Sequence, residues 1–219
     1  EQEKVELIPD RKTYAGGEVA EILVQSPFAP AEGVLTLRRS GLLRTERFTM
    51  NESSYTLRVP LEEAMTPNVH VQVDLVGAST RVDDEGEART DLPKRTAYAS
   101  GELKLEIPPV MRRLSVTATP RDTVLEPGAE TVVNVEVKDA QGRSVQGTDT
   151  AVIVVDESVL ALTGYRLGDP LSVFYPERDA GVTDYHLREQ VKLASPIEVE
   201  RLARIEGQGG GGGAGLIQT

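Results

Sequence analysis

The sequence predicts an all-β protein built of antiparallel sandwiches. Three observations predict it: apolar residues alternate with polar ones in short runs, turn-forming residues separate the runs, and the apolar content is aliphatic. Ala20, Ile22 and Val24 form one such run, and Val69, Val71, Val73 and Leu75 another. Leu103, Leu105 and Ile107 repeat the pattern, as do Leu114, Val116 and Ala118, then Val133, Val135 and Val137. Successive side chains on a strand point to opposite faces, so each run can bury one face and wet the other. Gly16-Gly17, Ser40-Gly41, Pro67-Asn68, Gly101, Pro108-Pro109, Pro127-Gly128 and Gly142 supply the turns. Of the 219 residues 39% are hydrophobic but only 4% aromatic, with no Trp, so Val, Leu and Ile must fill the cores.

In chain order, residues 1–107 are expected to form a seven-stranded antiparallel sandwich. Val69, Val71, Val73 and Leu75 should share its core with Ile22, Val24, Leu35 and Leu37. An internal repeat follows. Pro9 and Gly17 reappear as Pro120 and Gly128, at an offset of 111 (9 to 120, 17 to 128), and Tyr14, Ile22 and Val24 match Leu125, Val133 and Val135. In each copy a turn feeds an alternating strand, which indicates tandem modules of one type. Pro108 and Pro109 cannot donate to a sheet ladder and suit a short connector, so the boundary is placed at 107–110. The strands of the second module are expected to run to about Ala161. That is about half the length a sandwich of this kind needs, so the second module should be incomplete. Beyond it, Asp169-Pro170 should open a short helix, with Asp as cap and Pro at the first helical position. Ser195, with Glu198 three residues on, forms a capping box for a helix over about Ile197–Glu206. Residues 164–200 should run as a strap anchored by Tyr165, Phe174 and Tyr175. Gly207–Gly215, with Gly at seven of nine positions, cannot build a packed core.

Charge and residue types narrow the chemistry. Asp plus Glu total 35 against 24 Lys plus Arg, a net charge of −11, which repels a phosphate backbone and sets nucleic acid aside as a partner. Without cysteine there is no disulfide, thiolate metal site or Cys nucleophile. His70 and His186 stand alone, whereas a zinc site gathers three or four ligands. His70 is read as a solvated residue on the outer face of its strand, and His186 as a packing or hydrogen-bonding residue. Asp83-Asp84-Glu85-Gly86-Glu87 lacks the alternating ligand spacing of a calcium loop and reads as a solvated hairpin tip. No nucleophile elbow or phosphate-binding Gly loop is present, so no catalytic residue, cofactor or metal is assigned and an enzyme is not expected. Asp156 and Glu157, which interrupt an apolar run, are read as capping N–H groups at a strand end.

The run Val154-Val155-Asp156-Glu157-Ser158-Val159-Leu160-Ala161-Leu162 resembles the V-D-x-x-V-L segment of the alpha-2-macroglobulin and complement family, in the macroglobulin-like domain that carries the bait region. Gly164-Tyr165, Asp169-Pro170-Leu171 and Phe174-Tyr175-Pro176 are similar to its bacterial branch. Tyr14, Gly17-Glu18, Gln25-Ser26-Pro27-Phe28 and Pro67-Asn68-Val69 match a preceding macroglobulin-like domain. The resemblance implies tandem macroglobulin-like sandwiches of fibronectin/immunoglobulin type, the second incomplete because the bait interrupts it. It divides the chain into a first domain (1–108), the first part of a second (109–163), a linking strap (164–206) and the Gly-rich start of the bait (207–219).

That resemblance implies a protease inhibitor, which traps its target after a flexible bait is cut. Its partners would be the target endopeptidases and the remaining domains of the same parent protein. The address would be extracytoplasmic, in the bacterial periplasm, with any membrane anchor in a part of the protein beyond these residues. The first residue, Glu1, agrees with a start inside a longer chain. The family's Cys-x-Glu-Gln thioester motif is absent from this chain and would lie far downstream; the lack of cysteine favours the bacterial branch. Candidate bait cleavage residues are Arg201 and Arg204 for trypsin-like enzymes, and Leu202, Leu216 and Ile217 for enzymes that prefer apolar side chains. The alternative reading is a structural or adhesive array of immunoglobulin-like domains on a bacterial surface, which would have complete domains joined by short linkers.

Overall fold

The structure is a computed structural model that describes residues 3–83, 85–183 and 194–208. The first 107 residues supply β1 (Glu3–Lys4), β2 (Glu6–Pro9), β3 (Val19–Gln25), β4 (Ala31–Arg38), β5 (Leu42–Met50), β6 (Ser54–Pro60), β7 (Asn68–Ser79), β8 (Arg81–Val82), β9 (Ala88–Arg89) and β10 (Arg95–Glu106). They form a five-stranded sheet, β1-β10-β7-β4-β5, and a three-stranded sheet, β2-β3-β6; β8 and β9 make a separate small hairpin. The two large sheets enclose one core. Ile22, Val24, Leu37, Val69, Val71, Val73 and Leu75 are fully buried there and Leu35 nearly so. Each such side chain contributes about 1.5–3 kcal/mol on leaving water, which is how a core with few aromatics holds.

The expected seven strands appear once β1 and β2 are read as one strand broken at Val5. Its first half pairs with β10 and its second with β3. The crossing is possible because Gly101 has no side chain: a Cβ there would lie 2.4 Å from the Val5 carbonyl oxygen. The β1–β10 pairing is parallel, a departure from the purely antiparallel expectation. It follows from the strand changing sheets without changing direction.

The second module begins as the repeat predicts. β11 (Ser115–Pro120) and β12 (Val133–Lys138) form an antiparallel pair. Pro9 faces Ile22 in the first hairpin and Pro120 faces Val133 in the second, so the register is the same at an offset of 111 (9 to 120, 22 to 133). Gly17 and Gly128 take φ of 89° and 87°, and the Asp10 and Arg121 amides close equivalent bonds, to the carbonyls of Glu21 at 2.9 Å and Val132 at 2.8 Å. Burial differs: Val133 and Val135 remain 38% and 37% exposed where Ile22 and Val24 are sealed.

The strands expected to reach Ala161 do not. Residues 151–156 carry no strand and α1 (Glu157–Thr163) replaces the last part. A strand needs a ladder partner, and Ile153 and Val154 have none to cover them, being 80% and 88% exposed. Asp156 does cap, but at a helix start: its Oδ1 accepts from the Ser158 amide at 2.8 Å, and Gly164 ends the helix in the left-handed conformation. Asp169 caps α2 (Pro170–Phe174) as expected. α3 (Pro196–Gln208) opens with the predicted capping box: the Ser195 amide donates to Glu198 at 2.8 Å, and the Glu198 amide to the Ser195 hydroxyl at 3.3 Å.

Candidate functional site

Among the described residues, two attachments fix the chain after α2 to the first sandwich. The first is a polar clip at residues 177–181. β7 turns its valines inward, so Asn68 at its start and His70 on the opposite face present polar atoms to the strap. Asn68 pairs with the Arg178 backbone twice: its Oδ1 accepts from the Arg178 amide at 2.8 Å, and its Nδ2 donates to the Arg178 carbonyl at 2.8 Å. His70 Nε2 lies 3.0 Å from the same carbonyl oxygen, and its Nδ1 lies 3.6 Å from Glu102. His70 is therefore an outer-face residue largely covered by the strap, and not the solvated one expected. Lys104 meets Glu177 at 2.6 Å, an ion pair that raises the Lys104 pKa and lowers that of Glu177.

The turn after β4 completes the clip. The Ser40 amide donates to Asp179 at 2.7 Å and the Gly41 amide to Ala180 at 2.9 Å, so the strap adds backbone bonds to the sandwich. Gly181 is required there: its φ is 68° and a Cβ would lie 2.6 Å from the Ser40 carbonyl carbon. Beneath the strap Arg39 donates to the Thr66 carbonyl; burial, then the nearby Arg178 charge, push its pKa down. Of the three aromatics expected to anchor the strap, only Tyr175 does so. Arg112 lies over its ring at 5.4 Å and donates to its hydroxyl at 3.2 Å. Tyr165 and Phe174 are 64% and 73% exposed, and the strap is held instead by the backbone bonds at 178–180.

The second attachment holds α3. Arg81 on β8 donates Nη1 to the Ala194 carbonyl at 2.8 Å, just before the helix. Arg89 on β9 lies between two carboxylates, pairing with Asp91 at 2.7 Å and with Glu200 on α3. Asp91 first and Glu200 second raise the Arg89 pKa above its ordinary value, and Arg89 in turn lowers that of Asp91. Val199 and Glu200 are half-buried on this side, while residues 201–205 are exposed.

Three of the candidate cleavage residues, Arg201, Leu202 and Arg204, thus come together on the exposed part of α3. Leu216 and Ile217 lie outside the described residues, as do His186, Asp84 and the Gly run from 209. The acidic tip is a tight turn in which Asp83 Oδ1 accepts from the Glu85 and Glu87 amides, at 3.2 and 2.8 Å. Among the described residues no cluster of His, Asp or Glu could hold a metal ion, and no helix is long and apolar enough to cross a membrane. Sequence reasoning missed Arg81, Arg89, Glu200, Arg178 and the part played by Asn68. Their contacts span more than a hundred residues, and the clip runs mostly through backbone atoms, which leave no side-chain signature.

The model of the family described as "Alpha-2-macroglobulin bait region domain" matches residues 5–162. An alpha-2-macroglobulin homolog of Nostoc sp. is 29% identical over 97% of this chain and 11% of its own length. Circularly permutated Ras protein 2 of Dictyostelium discoideum is 28% identical over 80% of this chain and 4% of its own. Against the solved native conformation of E. coli alpha-2-macroglobulin the identity is 19%, over 100% of this chain and 13% of that one, with a TM-score of 0.44. The chain therefore spans about a tenth of the length of the alpha-2-macroglobulins it matches.

Proposed function

Since the chain belongs to the alpha-2-macroglobulin bait region domain family, we propose that it is the part of a protease-trapping inhibitor that leads into the bait. One observation carries this reading. The β11–β12 hairpin repeats the register of β2–β3 but leaves Val116, Val133 and Val135 uncovered, with Val137 alone buried. Such a hairpin fits a module whose remaining strands would be supplied after an insert. The bait would be the insert, beginning near Arg201 and continuing through the Gly-rich segment, with Arg201, Leu202, Arg204, Leu216 and Ile217 as its cleavable residues. The domain division drawn from the sequence, at 108, 163 and 206, belongs to the same reading.

The mechanism asks for a segment that a protease can enter and a support that the cut does not destroy. Sandwich strands fail the first requirement because their backbone groups are committed to ladders. A Gly-rich chain meets it, since it has no side chains to pin it. The clip at 177–181 meets the second by holding the chain upstream of every candidate cut. The parent would act as an inhibitor and not as an enzyme. Its partners would be endopeptidases together with its own other domains, and its place would be outside the cytoplasm, in the bacterial periplasm.

Limited proteolysis of the full-length parent with several unrelated proteases, followed by small-angle scattering, tests the reading. The expected result is a cluster of cuts at 201–219 or just beyond, a change in particle dimensions, and protease retained with the product. Cuts there with unchanged dimensions and no protease retained would make the segment a plain linker.

A further inference from the structure

We infer that Arg89 controls how readily the Arg201 and Arg204 bonds are cut, by holding α3 in a helical form that a protease cannot enter. The inference rests on the bait reading of this segment and adds what sets its susceptibility. Three observations carry it. Arg201 and Arg204 are exposed, so their side chains are available to a trypsin-like enzyme. Their backbone, however, lies inside a helix of 13 residues, and a protease cleft takes extended chain. The bonds become cleavable only when the helix opens locally, and the cutting rate then follows the population of the open form.

The stability of that helix is marginal by itself. Isolated helices of this length barely persist in water, and Gly207 near the end weakens it further. What favours the helix is at its first half. The capping box satisfies its first amides, Arg81 holds the Ala194 carbonyl at 2.8 Å, and Arg89 binds Glu200. Glu200 precedes Arg201 directly, so the contact fixes the turn that carries both arginines. Arg204 also lies 4.0 Å from Glu200, one helical turn away, which adds weakly to the same carboxylate. Arg89 is itself held at 2.7 Å by Asp91, so it reaches Glu200 already oriented. It sits on β9 of a small hairpin, meets α3 through the Glu200 carboxylate and acts as a positioning residue.

The experiment follows trypsin cleavage of the intact protein by mass spectrometry, counting cuts after Arg201 and after Arg204 separately. Arg89→Ala should speed both cuts about twofold to fivefold, the range expected for one partly exposed ion pair. Glu200→Gln, which also removes the weak Arg204 contact, should do the same or slightly more, and adding Arg89→Ala to it should change little, because the Arg89–Glu200 pair is then already lost. Ala203→Gly weakens the helix without touching Arg89 and should speed the cuts about fivefold. Raised salt should speed them in the unaltered protein and have little effect in Arg89→Ala. The thermal midpoint of the first sandwich should stay unchanged in all variants, which separates local opening from unfolding. If Ala203→Gly speeds the cuts and Arg89→Ala does not, the helix protects without Arg89 and the inference fails. Unchanged rates in both variants would show that the helix is no barrier, and it fails again. The bait reading is judged by a different observable, the change in dimensions and the retention of protease after the cut, so either idea can fall alone.

Discussion

The hairpins β2–β3 and β11–β12 have the same register, the same left-handed glycine at the turn and the same closing backbone bond, yet one lies in a core and the other lies open. Ile22 and Val24 are sealed in the first; Val133 and Val135 are exposed in the second. Pairing and burial are thus separate problems. Turn chemistry and alternation are local, so about twenty residues suffice to set a hairpin and its register. Burial depends on partners from elsewhere in the chain. Residues 31–38, 68–79 and 95–106 provide them for the first hairpin, and the described residues after 138 form no strand that could do so for the second.

A matched pair of substitutions puts the largest strain on this comparison. Val24 and Val135 occupy the same place in the two hairpins (24 to 135, an offset of 111). Val24→Asp buries a carboxylate with no partner and should destabilise the first sandwich by about 4 kcal/mol. Val135→Asp in this chain should cost within about 1 kcal/mol, since water already reaches the site. Urea unfolding followed by circular dichroism measures both. In the full-length parent the costs should become similar, because downstream strands would then cover the ribbon. A small cost for Val135→Asp in the parent as well would break the idea of an interrupted module.

How far the molecule could be read from its sequence follows the same division. The strands of the first sandwich, its core valines, the repeat and the caps at Asp169 and Ser195 are written in spacing and in a few residue types, and all are present. The apolar run at 151–162 misled, because five consecutive aliphatic residues look like a buried strand when no partner is specified. α1 forms in part of it instead, aided by the capping Asp156 and a glycine at its end. Tyr165 and Phe174 misled for another reason: ring size indicates possible contact area, but not whether a surface lies opposite. The pairing of Asn68 with Arg178 and of Arg89 with Glu200 lay beyond sequence reasoning, since surface arginines are common and nothing local ties residue 68 to 178. For the candidate site, sequence showed the helix that carries Arg201 and Arg204, and missed what holds it.

The clip offers a smaller perturbation than the core. Gly181→Ala would place a methyl group against the Ser40 backbone in a left-handed conformation, a strain of about 1–3 kcal/mol confined to residues 177–181. The Ser40 and Gly41 amides should then exchange with solvent about tenfold faster or more, since both donate to the strap. Core amides of β7 should exchange as before. Slow exchange at Ser40 and Gly41 in the variant would mean that the strap is held without this close approach, and that Asn68 and Lys104 suffice.

The smallest expected effect separates the two hairpin turns by pH. In the first, the Asp10 carboxylate accepts from the Tyr14 hydroxyl at 2.8 Å and from the Glu21 amide at 2.9 Å, and these bonds, Tyr14 first, hold its pKa below the ordinary value. Glu18 adds to the clasp by accepting from the Ala15 amide at 2.7 Å and from Arg11, which lowers its pKa as well. A group whose folded pKa is depressed contributes stability above its unfolded pKa, and that contribution is lost as pH falls through the folded value. The first turn should therefore be fully clasped above about pH 5 and loosen progressively below about pH 4. At the matching positions of the second turn stand Arg121 and Ala129, which have no carboxylate to protonate, although Asp122 accepts from the Thr131 hydroxyl at 2.8 Å nearby. Exchange of the Glu21 amide should accelerate on acidification beyond its intrinsic pH dependence, while that of the Val132 amide should accelerate less. Asp10→Asn should remove most of the excess at Glu21. Equal acceleration at both turns in the unaltered protein would show that the clasp at Asp10 and Glu18 does not distinguish them.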